Sequence, residues 1–304
     1  MACSHDTQDK ATCPDHARRL QVKLMANEIR QDIIKLVSAG KSGHPGGSLS
    51  AADIMAVLFF DDVMDYNKDI ATDKSHDRFF LSKGHAAPVL YATFHQLGWV
   101  KDSELETLRQ LGSRLQGHPD CHALPGVEVC SGSLGQGLSV ASGCALGLQL
   151  DAKAAQVQPH KVFVLLGDGE LQEGSNWEAA MFAAHRGLDN LIAIVDSNNL
   201  QIDGHVEDVC SLGDLPSKFQ AFGWNVLTVN GHCIRQLEQA VVAARAHKGA
   251  PSVIVCTTVK GKGVSFMEDQ AGWHGKAPDE EQTAQALNEL QAEHEKISQE
   301  VQNG

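Results

Sequence analysis

Apolar residues along the chain fall either near helical spacing or in short continuous runs, and each pattern marks an element. From Ala17 to Ala39 the residues Leu20, Leu24, Ile29, Ile33, Ile34, Leu36 and Val37 fall near helical spacing and Gly40 follows as a stop, which predicts a long helix. Lys41 to Ser48 reads as a Gly/Pro loop, after which Ser50 is expected to cap a helix from Ala51 to Phe60. Arg78 to Ser82 reads as a short buried strand, and Gly84 as the turn into a helix from Ala86 to Leu97. Asp102 or Ser103 is expected to cap a further helix running to Leu111. Gly112 to Gly132 is irregular, rich in Gly, Pro and His, and longer than an ordinary connection, so it is a candidate active-site loop. From Leu134 to Leu150 the interleaved glycines and alanines, including Gly143 and Gly147, predict a helix packed closely against neighbouring backbone.

Lys161 to Leu166, Leu191 to Val195 and Ser252 to Val259 are apolar without alternation, as expected of central parallel strands covered on both faces. Asn225 to Val229 adds a fourth strand. Helices at Asn176 to Arg186, Leu215 to Phe222 and Ile234 to His247 separate these runs, so the order is β-α-β-α-β-α-β. The fold class is α/β: a doubly wound, mostly parallel sheet with helices on both faces. After Asp279 the chain turns Gln/Glu-rich, with Leu287, Leu290 and Ile297 near helical spacing, which predicts a peripheral helix and a frayed end. The expected organisation is an N-terminal tail at 1–16, one large domain at 17–280 and a C-terminal helix and tail at 281–304.

The 304 residues are enough for one large core, and 25 Lys plus Arg against 38 Asp plus Glu leave a net charge of −13. That balance argues against nucleic acid or an anionic membrane as partner. Met1 to Leu20 holds no apolar run that could act as a signal or anchor, so the expected location is cytoplasmic. Cys3, Cys13, Cys121, Cys130, Cys144, Cys210, Cys233 and Cys256 are scattered without a C-x-x-C pair and read as reduced thiols, mostly buried or bland.

Candidate chemistry lies at two strand ends. The strand at Val162–Leu166 ends in Gly167-Asp168-Gly169, and the next ends in Asp196-Ser197-Asn198-Asn199, with 28 residues between Gly169 and Asn198. Ligands of an open parallel sheet sit at the carboxyl ends of its strands, so both pieces reach one rim. A carboxylate at Asp168, an amide oxygen at Asn198 and the backbone carbonyl of Leu200 can surround a hard cation such as Mg²⁺. Gly169 lets backbone approach a diphosphate, and the helix that follows favours its charge. Either motif alone is a common turn. Together, at this spacing on consecutive strands, they resemble the thiamine-diphosphate fingerprint.

Further motifs narrow the resemblance. Ser42-Gly43-His44-Pro45-Gly46-Gly47, Ser82-Lys83-Gly84-His85-Ala86, Gln116-Gly117-His118-Pro119, Ser131-Gly132-Ser133-Leu134-Gly135-Gln136-Gly137 and Gly167-Asp168-Gly169-Glu170 through Glu173-Gly174 and Trp177-Glu178 resemble the transketolase family in its own order, over residues 17–280. The resemblance implies metal ligation by Asp168, Asn198 and the Leu200 carbonyl, with Mg²⁺ as the ion and Ca²⁺ or Mn²⁺ able to substitute. It implies thiamine-diphosphate contacts at His85, Gly132, Leu134, Gly169, Glu170, Asn198 and His274. His44 and His118 would line the sugar channel, with His85 and His274 also in the catalytic set. Glu173 would belong to an acidic link between two active sites.

The implied activity is ketol transfer from a ketose phosphate to an aldose phosphate. Full-length transketolases carry a second, pyrimidine-binding domain that supplies an activating glutamate, and no β-α-β stretch remains after Asp279. The expectation is a separate C-terminal partner subunit, two of each. Gly46-Gly47-Ser48 and Lys260-Gly261-Lys262-Gly263-Val264 depart from the full-length pattern and look more like split transketolases. The lysine loop is also similar to 1-deoxyxylulose-5-phosphate synthase, which condenses pyruvate with an aldehyde phosphate, and a non-catalytic chain on the same fold is the other alternative. Sulfonated or branched sugars stay open as substrates.

Overall fold

The computed structural model describes residues 14–66 and 75–303; the expected tail at 1–16 lies mostly outside them, as do Cys3 and Cys13. Five parallel strands form the sheet: β1 (Arg78–Leu81), β2 (Val162–Gly167), β3 (Leu191–Ser197), β4 (Asn225–Asn230) and β5 (Ser252–Thr257), in the order β1-β2-β3-β5-β4. The three runs without alternation are therefore the three central strands. Their side chains do alternate, but between two cores: Phe163, Leu165, Ile192, Ile194 and Ile254 enter one, while Val164, Leu166, Ala193, Val195 and Val255 enter the other. β4, at the edge, is only half-buried.

The first core is closed by α1 (Pro14–Ala39), α2 (Ala52–Phe60), α3 (Ala87–Gln96), α7 (Ile234–Ala246) and α8 (Glu280–Asn303), and the second by α4 (Gly137–Ala155), α5 (Gly174–His185) and α6 (Leu215–Ala221). Each fully buried Leu, Ile, Val or Phe contributes about 1.5–3 kcal/mol against remaining exposed. Ala286, Leu290 and Ile297 of α8 are buried, and Thr283 Oγ1 donates to Ser38 Oγ at 2.9 Å, so the C-terminal helix belongs to the first core. It continues to Asn303 rather than fraying early.

Several local expectations change. The Lys41–Ser48 loop gives way to a helical turn at Pro45–Leu49, started by Pro45 with its preset φ, and Ser48 Oγ donates back to the His44 carbonyl at 2.7 Å. Ser50 does not cap α2: its hydroxyl donates to Asp196 Oδ2 at 2.6 Å, across the sheet rim. The helix expected from Asp102 to Leu111 lasts only from Asp102 to Leu105. Arg109 adopts φ 61°, where its amide meets the Leu115 carbonyl at 2.9 Å, and Arg114 folds back onto Glu104 at 2.9 Å, so the chain reverses. α4 starts later and ends later than expected. Its glycines do not all mark close packing: Gly137 sits where a Cβ would meet Ser82 Oγ at 2.2 Å, but Gly143 and Gly147 face open space. Among the described residues no helix is long and apolar enough to cross a membrane.

Candidate functional site

At the carboxyl ends of β2 and β3 the chain builds one wall of a cavity of about 420 Å³. Asp168, just past β2, is buried, and its Oδ1 accepts from the Gly169 amide at 2.8 Å. Its Oδ2 accepts from the Asn199 amide at 2.5 Å, an approach that depends on Asn199 adopting φ 58°. Asn and Asp tolerate that left-handed conformation better than other residues with a side chain. Asn198 Oδ1 accepts from the Leu200 amide at 3.1 Å, and the Leu200 carbonyl accepts from Lys260 Nζ at 2.8 Å. Burial, together with the Asp196 carboxylate nearby, raises the Asp168 carboxyl to about 6, only partly offset by the two amides and Lys260. A buried carboxylate, an amide oxygen and a carbonyl already drawing an ammonium group form a wall that favours a cation.

Beneath this wall lies a second charge pair. Lys83 is buried, pairs with Asp196 and donates to the Gly47 carbonyl at 2.8 Å. Burial pushes Asp196 upward, but Lys83 and the hydroxyls of Ser50 and Thr258 outweigh it and hold the carboxyl low. Glu170 ties three loops together: Oε1 accepts from Ser82 Oγ at 2.5 Å and the Gly135 amide at 3.0 Å, and Oε2 accepts from the Gly167 amide at 3.0 Å. Burial raises its pKa despite these donors. Glu170 lines the cavity, but its oxygens are engaged within the chain.

A second wall of the cavity, joined to the first through Lys260, is imidazole. His44, His85 and His274 come from three loops, with ring centroids 5.2 Å (His44 to His85), 5.5 Å (His44 to His274) and 5.1 Å (His85 to His274) apart. Burial, helped by nearby cations, lowers them to about 4 for His44, about 2 for His85 and about 3 for His274, so all three are neutral at pH 7. Lys260 Nζ lies 3.0 Å from His274 Nδ1, and burial, with Lys83 nearby, lowers this lysine to about 8. Arg109 donates to Ser42 Oγ at 2.7 Å and reaches His44 Nδ1 at 3.4 Å.

Of the residues expected from sequence, His44, His85, Gly132, Leu134, Asp168, Gly169, Glu170, Glu173, Asn198, Leu200 and His274 line this one cavity. His118 stands outside its lining, behind Gly132: at φ 152° Gly132 lies so close that a Cβ would meet the His118 ring at 3.2 Å. Burial and then Arg109 lower the His118 pKa. Glu173 is exposed at the rim, at the start of α5. Sequence alone assigns no role to Lys83, Asp196, Lys260 or Arg109. Lys83 and Asp196 sit inside recognisable motifs, but a lysine and an aspartate read as ordinary turn residues until folding shows them buried together.

Residues 21–303 match the family described as transketolase, thiamine diphosphate binding domain. A subunit of the apulose-4-phosphate transketolase of Phocaeicola vulgatus is 39% identical over 279 residues, covering 92% of this chain and 97% of that protein. The 6-deoxy-6-sulfo-D-fructose transketolase subunit SqwG of a Clostridium species is 38% identical, covering 91% and 98%. Human transketolase is 40% identical over 91% of this chain but only 43% of its own length. The solved transketolase of Leishmania mexicana superposes with a TM-score of 0.81 at 34% identity, covering 93% of this chain and 46% of that one. The chain thus spans less than half the length of such single-chain transketolases and nearly all of the separate subunits. Similar in sequence and in fold over more than nine-tenths of its length, the chain belongs to the transketolase family, as its thiamine diphosphate binding domain.

Proposed function

We propose that this chain is the cofactor-diphosphate-binding component of a two-subunit transketolase, moving a two-carbon ketol unit from a ketose phosphate to an aldose phosphate. The observation that carries the reading is one cavity with a cation-demanding wall at Asp168, Asn198 and Leu200 beside neutral His44, His85 and His274. Asp168, Asn198 and the Leu200 carbonyl would hold Mg²⁺, or Ca²⁺ or Mn²⁺ in its place; their oxygens are the hard donors such ions prefer. Lys260, now donating to the Leu200 carbonyl, supplies positive charge where the ion is expected. Gly169 leaves room for a diphosphate, and His85 and His274 offer neutral ring N–H donors to its oxygens. Gly132 and Leu134 would meet the rings of the cofactor. Thiamine diphosphate, when bound, supplies the carbanion and electron sink for carbon–carbon cleavage.

The protein's own part is to exclude water, orient the sugar and manage protons. His44 and His118, held neutral, can accept hydrogen bonds from sugar hydroxyls and take up or return a proton at a ring nitrogen. Arg109, beside His44, is a fixed cation that disfavours lasting protonation of that ring. Glu173, exposed at the rim, can join an acidic link to a site on a neighbouring protomer.

Support for a partner comes from relatives named as subunits, which this chain matches almost end to end. The reading is a complex with a separate pyrimidine-side chain, two of each, with residues 17–280 as the cofactor domain and 281–304 buttressing it, working in the cytoplasm. Titration calorimetry with thiamine diphosphate and Mg²⁺, with and without that partner, tests it together with a ketol-transfer assay. Binding with activity only in the mixture is expected. Absence of cofactor binding in both samples overturns the reading, and full activity of the chain alone overturns the two-component part.

A further inference from the structure

Cys121 and Cys130, read from the sequence as unremarkable thiols, meet in the folded chain: their sulfurs are 3.2 Å apart. Cys130 Sγ is also 3.3 Å from Asp120 Oδ1, and one ligand atom each from Asp120, Cys121, His122 and Cys130 falls within 4.8 Å of all the others. We propose that these four residues form a zinc site that clasps the loop between His118 and Gly132. The inference is independent of the cofactor reading, because none of the four lines the main cavity.

The donor set decides the metal. Two thiolates, an imidazole and a carboxylate suit Zn²⁺, whereas Mg²⁺ and Ca²⁺ want oxygens alone. Tetrahedral zinc with bonds of about 2.0–2.3 Å holds its ligands roughly 3.3–3.8 Å apart. Two of the spacings, 3.2 and 3.3 Å, are close to that figure, and the others, all within 4.8 Å, would have to close by at most about 1–1.5 Å as the side chains rotate onto the ion. The backbone is already shaped for it. Ser131 N donates to the Pro119 carbonyl at 3.2 Å, closing the loop ends, while His122 N donates to Asp120 Oδ1 at 2.8 Å. The Cys121 amide donates to Cys130 Sγ at 3.4 Å, a bond that a metal-bound thiolate can keep, although in the metal-free chain the Cys121 side chain beside it holds the Cys130 thiol above its ordinary range. Leu124 and Val127 are buried, so the intervening segment is anchored in the first core below the sulfurs.

As each sulfur–zinc bond forms, the S–H proton leaves to solvent, so uptake releases up to two protons without any oxidant. The clasp would hold Gly132 against the His118 ring and so position that histidine.

The test uses the full chain, reduced and stripped of metal, titrated with Zn²⁺ against a competing chelator and separately with Co²⁺ as a spectroscopic probe. One tightly bound Zn²⁺ per chain is expected, together with a thiolate-to-cobalt charge-transfer band, both retained in Asp168→Ala, where the carboxylate of the strand-tip wall is gone. Cys121→Ser combined with Cys130→Ser should weaken zinc by more than about a hundredfold and abolish the band. Cys130→His, which keeps four ligands, should retain zinc with a weaker band, so misfolding of the serine variant is not mistaken for support. Equal zinc affinity in the double serine variant or a cobalt spectrum without the band would overturn the proposal, as would finding, in a parallel sample purified without reductant, that the two thiols resist alkylation because they are joined as a disulfide.

Discussion

On one wall of the cavity, Asp168, Asn198 and Leu200 follow two adjacent strands, and the acceptor oxygens of Asp168 and Asn198 are aimed by backbone amides at the two strand ends, while Ser50, Asp196 and Lys260 side chains hold the Asn198 amide and the Leu200 carbonyl. On the other, His44, His85 and His274 arrive from loops far apart in sequence and are set by packing against each other and by cations behind them. Burial acts on both with opposite results. It drives Asp168 up to about 6, leaving a carboxylate whose charge is unwelcome without a cation, and drives the histidines down, leaving rings that stay neutral. A site built this way can take a metal–anion pair as one unit: the charge of the ion is answered by the Asp168 carboxylate, and the anion meets neutral rings backed by Lys260.

Lys83 and Lys260 join the two walls. Lys83 reaches both, pairing with Asp196 under the strand tips and donating to the Gly47 carbonyl of the histidine loops. Lys83→Met leaves Asp196 buried and unpaired and should cost about 3–5 kcal/mol in denaturant unfolding, most of it recovered by adding Asp196→Leu. A loss below about 1 kcal/mol would mean the pair does not join the walls.

Asp168→Ala should reduce Mg²⁺-dependent retention of thiamine diphosphate in the assembled complex by about a hundredfold or more, by calorimetry. On the imidazole wall, where the loss is one neutral hydrogen bond, His85→Ala should reduce it only about tenfold. Equal losses would erase the distinction between the walls. His118→Asn should lower kcat by roughly ten- to a hundredfold with cofactor affinity unchanged, because that ring stands outside the cavity lining.

The smallest effects are in pH, and their signs differ. For His44, His85 and His274 the unfolded chain, with pKa 6.5, takes up protons before the folded rings at about 4, 2 and 3. Their contribution to stability is complete above about pH 6.5 and lost as pH falls below it. For Asp168 the folded carboxyl, near 6, binds its proton before the unfolded one at 3.8, so this group favours folding at low pH and opposes it as pH rises through about 6. In thermal melts of the cofactor-free chain, Asp168→Asn should therefore gain stability relative to the parent as pH rises from about 4 to about 7. His85→Asn should flatten the parent's loss of stability below pH 6.5. Slopes of one sign in both variants would overturn the contrast.

The strand-tip wall was legible because its information is local. Apolar runs without alternation marked β2, β3 and β5 as central, and a motif following each of two strands brought Asp168 and Asn198 to one rim. The histidines were found through motif resemblance, since no local pattern says that His44 and His274 face one another. Helix ends were read less well wherever a side chain left its local role: Ser50 abandoned the cap for Asp196, and Arg109 broke its helix to reach Ser42 and His44.

What the sequence determined alone was the order of elements, the two faces of the sheet and the residue types at the strand ends, because hydrophobic period and turn chemistry act over a few residues. Tertiary structure decided which distant groups share a dry space. Lys83 met Asp196 across 113 positions, Cys121 met Cys130, and three imidazoles became neutral together. Charge state and ligand geometry depend on burial and on neighbours the chain supplies only once it has closed on itself.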